Sequence, residues 1–111
     1  MNILFSLIIN GLAVFVTSRI IPGVVLDDFI TAVVVSVILA VVNTFIKPIL
    51  ILLTLPVNIL TLGLFTLVIN AVVVLIVDSL VPGFEVNGFW AALFFSIVLS
   101  LVSAVLHTFT N

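Results

Sequence analysis

Few side chains in this sequence have the chemistry that catalysis or metal binding requires. The 111 residues include two lysines or arginines, four aspartates or glutamates, one histidine and no cysteine. These groups are scattered, so they form no catalytic triad, no metal-ligand spacing and no phosphate-binding loop. The lack of cysteine also removes disulfides, thiolate nucleophiles and sulfur-based metal sites. We therefore predict that the protein is not an enzyme and uses no cofactor and no metal.

Five polar side chains interrupt otherwise apolar segments, which makes them the candidates for a functional site. Asn10 and Asn70 each lie about seven residues into an apolar segment, or ~10 Å deep at the helical rise. Asn43 precedes Lys47 by four residues on a neighbouring segment, so its depth is comparable. An unpaired amide in hydrocarbon costs several kcal/mol, so we expect a polar cluster in the membrane that contains Asn10, Asn43, Lys47, Asn70 and Ser103. The cluster is either a structural network that clamps the helices or a conduction or substrate site.

A second pattern is a stripe of small residues on two predicted helices. Its members are spaced by four, four and three residues, which places them on one helix face. The stripe consists of Ala32, Ser36, Ala40 and Asn43 in the first helix and Ala92, Ser96, Ser100 and Ser103 in the second. Small residues allow close approach of helices in lipid, where there is little hydrophobic drive for association. We predict a helix-packing seam within one chain; a polar face that lines a water-filled path or joins subunits is the alternative.

The other ionisable side chains are expected at the ends of helices. Lys47 is predicted to snorkel, with its stem along apolar surface and its ammonium group among lipid headgroups. Binding of an anionic lipid phosphate is the alternative, for which a single lysine is slender support. Asp78 is predicted near water at the membrane interface, with an ion pair to Arg19 as the alternative, and His107 is predicted to be solvated.

The composition identifies the class of protein to which these residues belong. Hydrophobic residues make up 66% of the chain and charged residues 5%, whereas a soluble domain has roughly 25% charged residues. The chain is therefore predicted to lie in a lipid bilayer. Its formal net charge of −2 argues against nucleic-acid binding, which requires a basic surface.

Four apolar segments are long enough to be membrane helices, which need about 20 residues. They cover residues 3–21, 29–46, 64–81 and 89–106. Pro22-Gly23 and Pro82-Gly83 end the first helix of each pair, because proline disrupts a helix and glycine adopts the angles of a turn. The first segment is predicted to be a retained span rather than a signal peptide, because its only basic side chain, Arg19, follows the apolar run.

The four segments form two copies of one unit, since the chain matches itself at an offset of 60 residues without a gap. Matching pairs include Asn10 and Asn70, Pro22 and Pro82, and Ser36 and Ser96. Such repeats determine the architecture. We predict an all-α membrane protein of four transmembrane helices in a single integral membrane domain, built as two tandem helical hairpins, with repeat 1 at 3–48, a hinge at 49–62 and repeat 2 at 63–108.

The hinge is apolar, but it is too short to cross the membrane, because 14 residues reach about 21 Å as a helix. Pro56 breaks it near the middle, and we assign Pro48, Pro56, Asn58 and Gly63 as hinge residues. We predict two short arms that re-enter the membrane; an interfacial linker or proline-kinked extensions of the neighbouring spans are the alternatives. A hinge that does not cross makes the repeat parallel, whereas one that crosses makes it inverted, as in many transporters. The length favours the parallel arrangement.

These residues also carry a resemblance to a known family. The relevant runs read NTFIKPILILLTLPVNILTLGLFTLVINAVVV and PGFEVNGFWAALFFSIVLSLVSAVL. They resemble phage holin family 4 (superfamily IV), also described as the YvlD or DUF360 family, most specifically at Asn43, Lys47-Pro48, Leu55-Pro56, residues 60–63 and Asn70-Ala71. The resemblance covers nearly the whole chain. It implies a small bacterial inner-membrane protein with four spans and no enzymatic activity.

Two functions follow from these expectations. The holin label implies homo-oligomers that permeabilise the membrane, although many family members are ordinary chromosomal proteins and this chain lacks the charged C-terminal tail of many holins. The alternative is a non-lytic envelope-stress or accessory membrane protein, or a small lipid or solute transporter. In both cases the lipid bilayer is a partner, and the terminal amine together with Lys47 favours cytoplasmic N- and C-termini.

Overall fold

The structure is a computed structural model that describes residues 3–61 and 64–110, with the backbone alone for residues 58 and 110. Gly63, one of the predicted hinge residues, lies outside the described residues, and so does the side chain of Asn58. The described residues form six helices and two short strands in the order α1 (Ile3–Ile20), β1 (Val24–Leu26), α2 (Phe29–Phe45), α3 (Lys47–Leu53), α4 (Leu55–Leu60), α5 (Phe65–Leu80), β2 (Phe84–Val86) and α6 (Phe89–Thr110).

The chain is mostly helical, and its longest helices have the length and composition of membrane spans. Three apolar stretches are long enough to cross a bilayer, namely Ile3–Ile20, Phe29–Leu53 and Phe89–Phe109. The fourth apolar helix, Phe65–Leu80, is shorter, and its 16 residues reach about 24 Å at the helical rise.

Local chemistry sets the start of α2 in the first hairpin turn. Asp28 is its N-cap, and the carboxylate accepts hydrogen bonds from the backbone N–H and the hydroxyl of Thr31, each at 2.8 Å. The backbone bond, followed by the hydroxyl bond, lowers the pKa of Asp28 below its ordinary value of 3.8. Helix N-termini favour such an acceptor, because their first N–H groups have no partner within the helix.

The prediction of an all-α chain is wrong for the two hairpin turns, which contain the paired strands β1 and β2. The strands are antiparallel, with Val25 opposite Glu85, and we call this pair the ribbon. Two further backbone hydrogen bonds extend it, from Asp27 N to Gly83 O at 3.0 Å and from Asn87 N to Gly23 O at 2.7 Å. The ribbon joins the two turns at one end of the molecule.

The ribbon also closes the core at that end. Val24, Phe84 and Val86 are buried beneath it, whereas Val25 and Glu85 are exposed on its other face. The ring of Phe84 lies 5.5 Å from the ring of Phe95 on α6, measured between centroids. This alternation is the burial pattern of a strand with one face on the core.

The four long helices form a ring in which α1 packs against α2 and α6, and α5 packs against α6 and α2. α1 approaches α2 closely at Gly11, where a Cβ atom would lie 2.6 Å from Val33 Cγ2 and 3.2 Å from Val33 Cα. Close contact through a glycine is a common way for membrane helices to pack. Gly11 lies outside the predicted small-residue stripe.

The helical path does not end at the predicted boundary beside Lys47 and Pro48. α2 ends at Phe45, but Ile46 N donates to Val42 O at 2.9 Å and Leu50 N donates to Ile46 O at 3.1 Å. Pro48 is accommodated because it lies in the first turn of α3, where a missing N–H costs little. Phe29–Leu53 is therefore one apolar stretch of 25 residues, and Lys47 lies within it.

The segment between the hairpins breaks at Thr54 and not in the middle of a helix at Pro56. Thr54 N–H contacts the carbonyl groups of Leu50 and Ile51, and Pro56 occupies the first turn of α4. α3 packs against α5, so the first arm of the segment lies beside the second hairpin. The second arm, α4, ends at Leu60.

Candidate functional site

A cavity of about 260 Å³ lies between the helices, and we call it the polar cleft. All five residues of the predicted polar cluster line it, namely Asn10, Asn43, Lys47, Asn70 and Ser103. They come from α1, α2, α3, α5 and α6. Residues that are far apart in the sequence therefore meet at one place in the fold.

The predicted small-residue stripe runs along the cleft from its floor to its opening. Ser36, Ala40, Ser96 and Ser100 line the cleft, while Ala32 and Ala92 lie closer to the ribbon and are fully buried. Ser36 and Ser96 are buried as well, but Ala40, Asn43 and Ser100 are exposed. The helices therefore pack closely along the stripe near the ribbon, and the stripe residues become exposed toward the other end.

This gradient of burial gives the cleft a direction. Val14 and Val74 form its floor and are almost wholly buried. We call its opposite end, marked by the exposed residues Ala40, Asn43 and Ser100, the mouth of the cleft. The mouth lies away from the ribbon, on the side of Lys47.

The serine hydroxyl protons of the cleft are mostly engaged within their own helices. Ser36 Oγ donates to Val33 O at 2.7 Å, Ser96 Oγ to Leu93 O at 2.8 Å and Ser100 Oγ to Ser96 O at 2.9 Å. A hydroxyl has one proton to donate. The donors left to face the cleft are therefore the amides of Asn43 and Asn70, the ammonium group of Lys47 and the hydroxyl of Ser103.

Asn10 makes the contact that joins two helices at this site. Its Oδ1 lies 3.1 Å from Nε2 of His107 on α6, and its Nδ2 lies 3.5 Å from Ser6 Oγ. When Nε2 carries the proton, the imidazole donates to the amide oxygen. The prediction of a solvated His107 is therefore wrong, because the ring is half-buried against α1. The repeat could have indicated a role for His107 near the polar cluster, since it lies 60 residues after Lys47, at the matching position of the second repeat.

The acidic residues lie at the ribbon end, away from the polar cleft. Asp78 Oδ2 accepts a hydrogen bond from Val86 N at 3.3 Å, so this carboxylate stabilises the end of β2. Arg19 lies over the ring of Phe15, 4.9 Å from its centroid. Within the part of the chain that the structure describes, the alternative of an ion pair between Asp78 and Arg19 is not formed.

No group of three or more His, Cys, Asp or Glu side chains that could hold a metal ion occurs among residues 3–61 and 64–110. The site is therefore defined by amides, hydroxyls and one ammonium group. These groups can bind polar or charged ligands through hydrogen bonds and charge.

Comparison with known proteins finds a matching family and two similar bacterial proteins. A family model described as "Mycobacterial 4 TMS phage holin, superfamily IV" matches residues 1–105. The chain is 37% identical over 97 residues to the uncharacterised membrane protein YvlD of Bacillus subtilis (strain 168), which covers 86% of this chain and 82% of that protein. It is 42% identical over 87 residues to an uncharacterised protein of Streptomyces coelicolor, covering 75% of this chain and 70% of that protein. No solved structure matches the chain.

Proposed function

The chain belongs to the family described as mycobacterial four-TMS phage holins, superfamily IV, and from this premise we propose that it is a non-lytic accessory or transport protein of the bacterial inner membrane. It has no chemistry of its own and acts through the polar cleft. The observation that carries this proposal is that all five predicted polar residues face a cleft within one chain. A holin pore formed by several chains would instead need polar groups on an outer face.

The outer faces of the long helices support the proposal. Ile30, Val34 and Phe45 are exposed on α2, and Leu101 and Val105 are exposed on α6. Apolar side chains are suited to lipid, whereas polar groups in a bilayer favour the interior of a bundle. A protein with this arrangement can lie in a membrane as a single chain, without leaving it permeable.

The proposed topology has four spans, with α5 as the fourth, in two parallel repeats. Its support is the register of the ribbon, in which Val25 pairs with Glu85, its own counterpart 60 residues later. The two flanking hydrogen bonds are also equivalent under the repeat. Asp27 N donates to Gly83 O, and its counterpart Asn87 N donates to Gly23 O, the counterpart of Gly83. Equivalent residues that face each other in this way are related by an approximate two-fold axis. Such an axis through the ribbon puts both turns on one membrane face, so the hinge re-enters or follows the opposite face.

The proposed orientation places the N- and C-termini and the mouth of the cleft in the cytoplasm. Lys47 and His107 are on this side, where α1 also begins, while Arg19 is near the ribbon. Basic groups favour the cytoplasmic side of a bilayer. The ribbon and its acidic residues then face outward.

Reconstitution into dye-loaded vesicles tests the proposal. We expect the vesicles to retain the dye at every protein-to-lipid ratio. Single-cysteine variants locate the cleft, since the chain has no native cysteine. Asn43→Cys should react with an impermeant thiol reagent from the side of the termini, whereas Phe45→Cys, exposed on the outer face, should be protected by lipid. Dye release that rises with the amount of protein would contradict the proposal.

The family match favours a second candidate function, a membrane-permeabilising homo-oligomer. In that case the helices would rearrange so that Ser36 and Ser96 face water in an assembly of several chains. Expression would collapse the proton gradient and admit dye, and the variants Ser36→Leu and Ser96→Leu would prevent both effects. An intact membrane at high expression excludes this candidate.

A further inference from the structure

We propose that the polar cleft binds a phosphate-type anion, with Lys47 supplying the charge and Asn43, Asn70 and Ser103 supplying hydrogen bonds. This inference rests on the proposed function, because it assigns a ligand to a cleft enclosed by one chain. The anion has two sources, the headgroup of an acidic phospholipid and free phosphate.

The first argument is the position of Lys47. The helical path continues past it to Leu53, so Lys47 lies six residues, or about 9 Å at the helical rise, from the end of the apolar stretch. Its side chain is half-buried and lines the cleft. An ammonium group inside an apolar stretch requires an anionic partner, carbonyl groups or water.

The second argument is the distribution of charge. Asp, Glu and Arg are absent from the described residues that line the cleft, so Lys47 gives it a positive charge. The described acidic residues lie outside the cleft: Asp28 caps α2, Asp78 accepts from Val86 N of the ribbon, and Asp27 is exposed beside the ribbon. Glu85 is exposed on the outer face of the ribbon. The anion that neutralises Lys47 must therefore come from outside these residues.

The third argument is the kind of hydrogen bond that the cleft offers. Three serine hydroxyls donate to their own helices, which leaves amide N–H groups, one hydroxyl and the ammonium group as donors. The unprotonated oxygens of a phosphate only accept, and hydrogen bonds from a charged donor to such oxygens are the strong ones. A ligand rich in acceptors matches the cleft better than a cation or a neutral sugar.

The size of the cleft limits the ligand. Its volume of about 260 Å³ is below the range of roughly 300–1,000 Å³ that is typical of pockets for drug-sized molecules. It suits a phosphate group with a few adjoining atoms. Acyl chains of a lipid would remain outside, against the apolar outer faces of the helices.

The test measures thermal unfolding of the full chain in a neutral detergent. The ligands are short-chain phosphatidylglycerol, diacylglycerol with the same acyl chains, and inorganic phosphate, with chloride at equal ionic strength as the control for screening. A ligand that binds the folded state and not the unfolded state raises the unfolding temperature, and the shift grows with the logarithm of the ligand concentration once that exceeds the Kd. We expect phosphatidylglycerol to raise it and diacylglycerol to leave it unchanged.

Variants locate the effect. Lys47→Gln should weaken the binding by about tenfold or more, the lower end of the range for a charge-assisted hydrogen bond, and Lys47→Arg should retain it. Arg19→Gln removes the same charge at the ribbon end and should bind as the original chain does. If Lys47→Gln does not fold, Asn43→Asp places a negative charge at the exposed mouth and should weaken the binding by a similar factor.

Each outcome decides the proposal. Lys47-dependent stabilisation by phosphatidylglycerol alone supports a lipid headgroup, and the same effect with inorganic phosphate supports free phosphate. Equal stabilisation of all variants, or stabilisation by neither anion, overturns the proposal. Dye release is measured separately in vesicles, so a leaky protein that still binds through Lys47 refutes the non-lytic function and leaves the anion site standing.

Discussion

Gly11 packs so closely against α2 that there is no room for a Cβ atom. We expect Gly11→Ala to destabilise the protein by about 1–3 kcal/mol, the range for overpacking a close contact. The reason is that the new Cβ would lie 2.6 Å from Val33 Cγ2 and 3.2 Å from Val33 Cα. The free energy of unfolding in a denaturing-detergent titration measures the effect.

The double variant Gly11→Ala with Val33→Ala provides the control for this prediction. Removing Val33 Cγ2 eliminates the shorter contact. Gly11→Ala should therefore cost much less free energy of unfolding in the Val33→Ala background than in the original chain. A Gly11→Ala protein as stable as the original would contradict the close approach of the two helices.

Asp28 gives the hairpin turn a dependence on pH. Hydrogen bonds from Thr31 lower its pKa in the folded state below the ordinary value of 3.8. The carboxylate therefore stabilises the folded state above that value, and the contribution is lost as the pH falls through the lowered pKa. The effect is small, because Asp28 is exposed to solvent.

Thermal unfolding between about pH 6 and pH 3 should show this loss in the original chain. Asp28→Asn keeps an oxygen that caps the helix but removes the titration. Its unfolding temperature should fall less over the same interval. Parallel curves for the two proteins would show that the cap does not titrate in this range.

At the level of elements, the two glycines that directly precede the strands, Gly23 and Gly83, form a matched pair. Gly23 and Gly83 both have φ of +88°, but their surroundings differ. A Cβ at Gly83 would lie 2.6 Å from Asp27 Oδ2, whereas at Gly23 the nearest atom is the Cβ of Ala91 at 3.4 Å. We expect Gly23→Ala to cost roughly 1–2 kcal/mol from the backbone angle alone, and Gly83→Ala to cost more.

Replacement of Asp27 separates the two contributions. Against an Asp27→Ala background, Gly83→Ala should cost about as much as Gly23→Ala, because only the backbone strain remains. Unfolding free energies of the original chain and the four variants, measured under one condition, provide the comparison. Equal costs of Gly23→Ala and Gly83→Ala in the original chain would contradict the contact between Asp27 and Gly83.

The elements also show which parts of the fold were accessible from sequence. The long helices were predictable because an apolar run with Pro-Gly at its end has few other structures available in lipid. The ribbon was missed, since three residues such as Val24–Leu26 are too few for the alternation of a strand to be recognised. The continuation past Pro48 was only an alternative in the sequence analysis, because a proline in the first turn of a helix looks the same in sequence as one that ends it.

Across the whole molecule, the composition of the polar cleft was more predictable than its contacts. Depth along each helix placed Asn10, Asn43 and Asn70 at similar levels, and polar groups at one depth in lipid tend to gather. The bond between Asn10 and His107 depends on how the first half of α1 and the last turns of α6 approach each other. That approach depends on packing between segments that are distant in the sequence, and the spacing of residues within one helix does not predict it.

The parallel arrangement of the two hairpins is the prediction that concerns the molecule as a whole. Val25 and Glu85 face each other across the ribbon, and opposite residues of an antiparallel pair have Cα atoms about 4.5–5.5 Å apart. A disulfide requires roughly 4.4–6.8 Å, so Val25→Cys with Glu85→Cys should form an intramolecular disulfide. Val25 and Glu85 are both exposed. We therefore expect an impermeant thiol reagent to label the single variants Val25→Cys and Glu85→Cys from the same side of the membrane.

The diagonal pair Val25→Cys with Asn87→Cys is the control, since diagonal neighbours lie about 7–8 Å apart and should link poorly. Mobility on a non-reducing gel distinguishes an internal disulfide from a link between two chains. An inverted repeat would place the two turns on opposite sides of the membrane, so labelling of Val25→Cys and Glu85→Cys from opposite sides would refute the parallel arrangement. Labelling from one side, with an efficient internal link, requires that both hairpins enter the membrane in the same direction and that the hinge returns to the face from which it started.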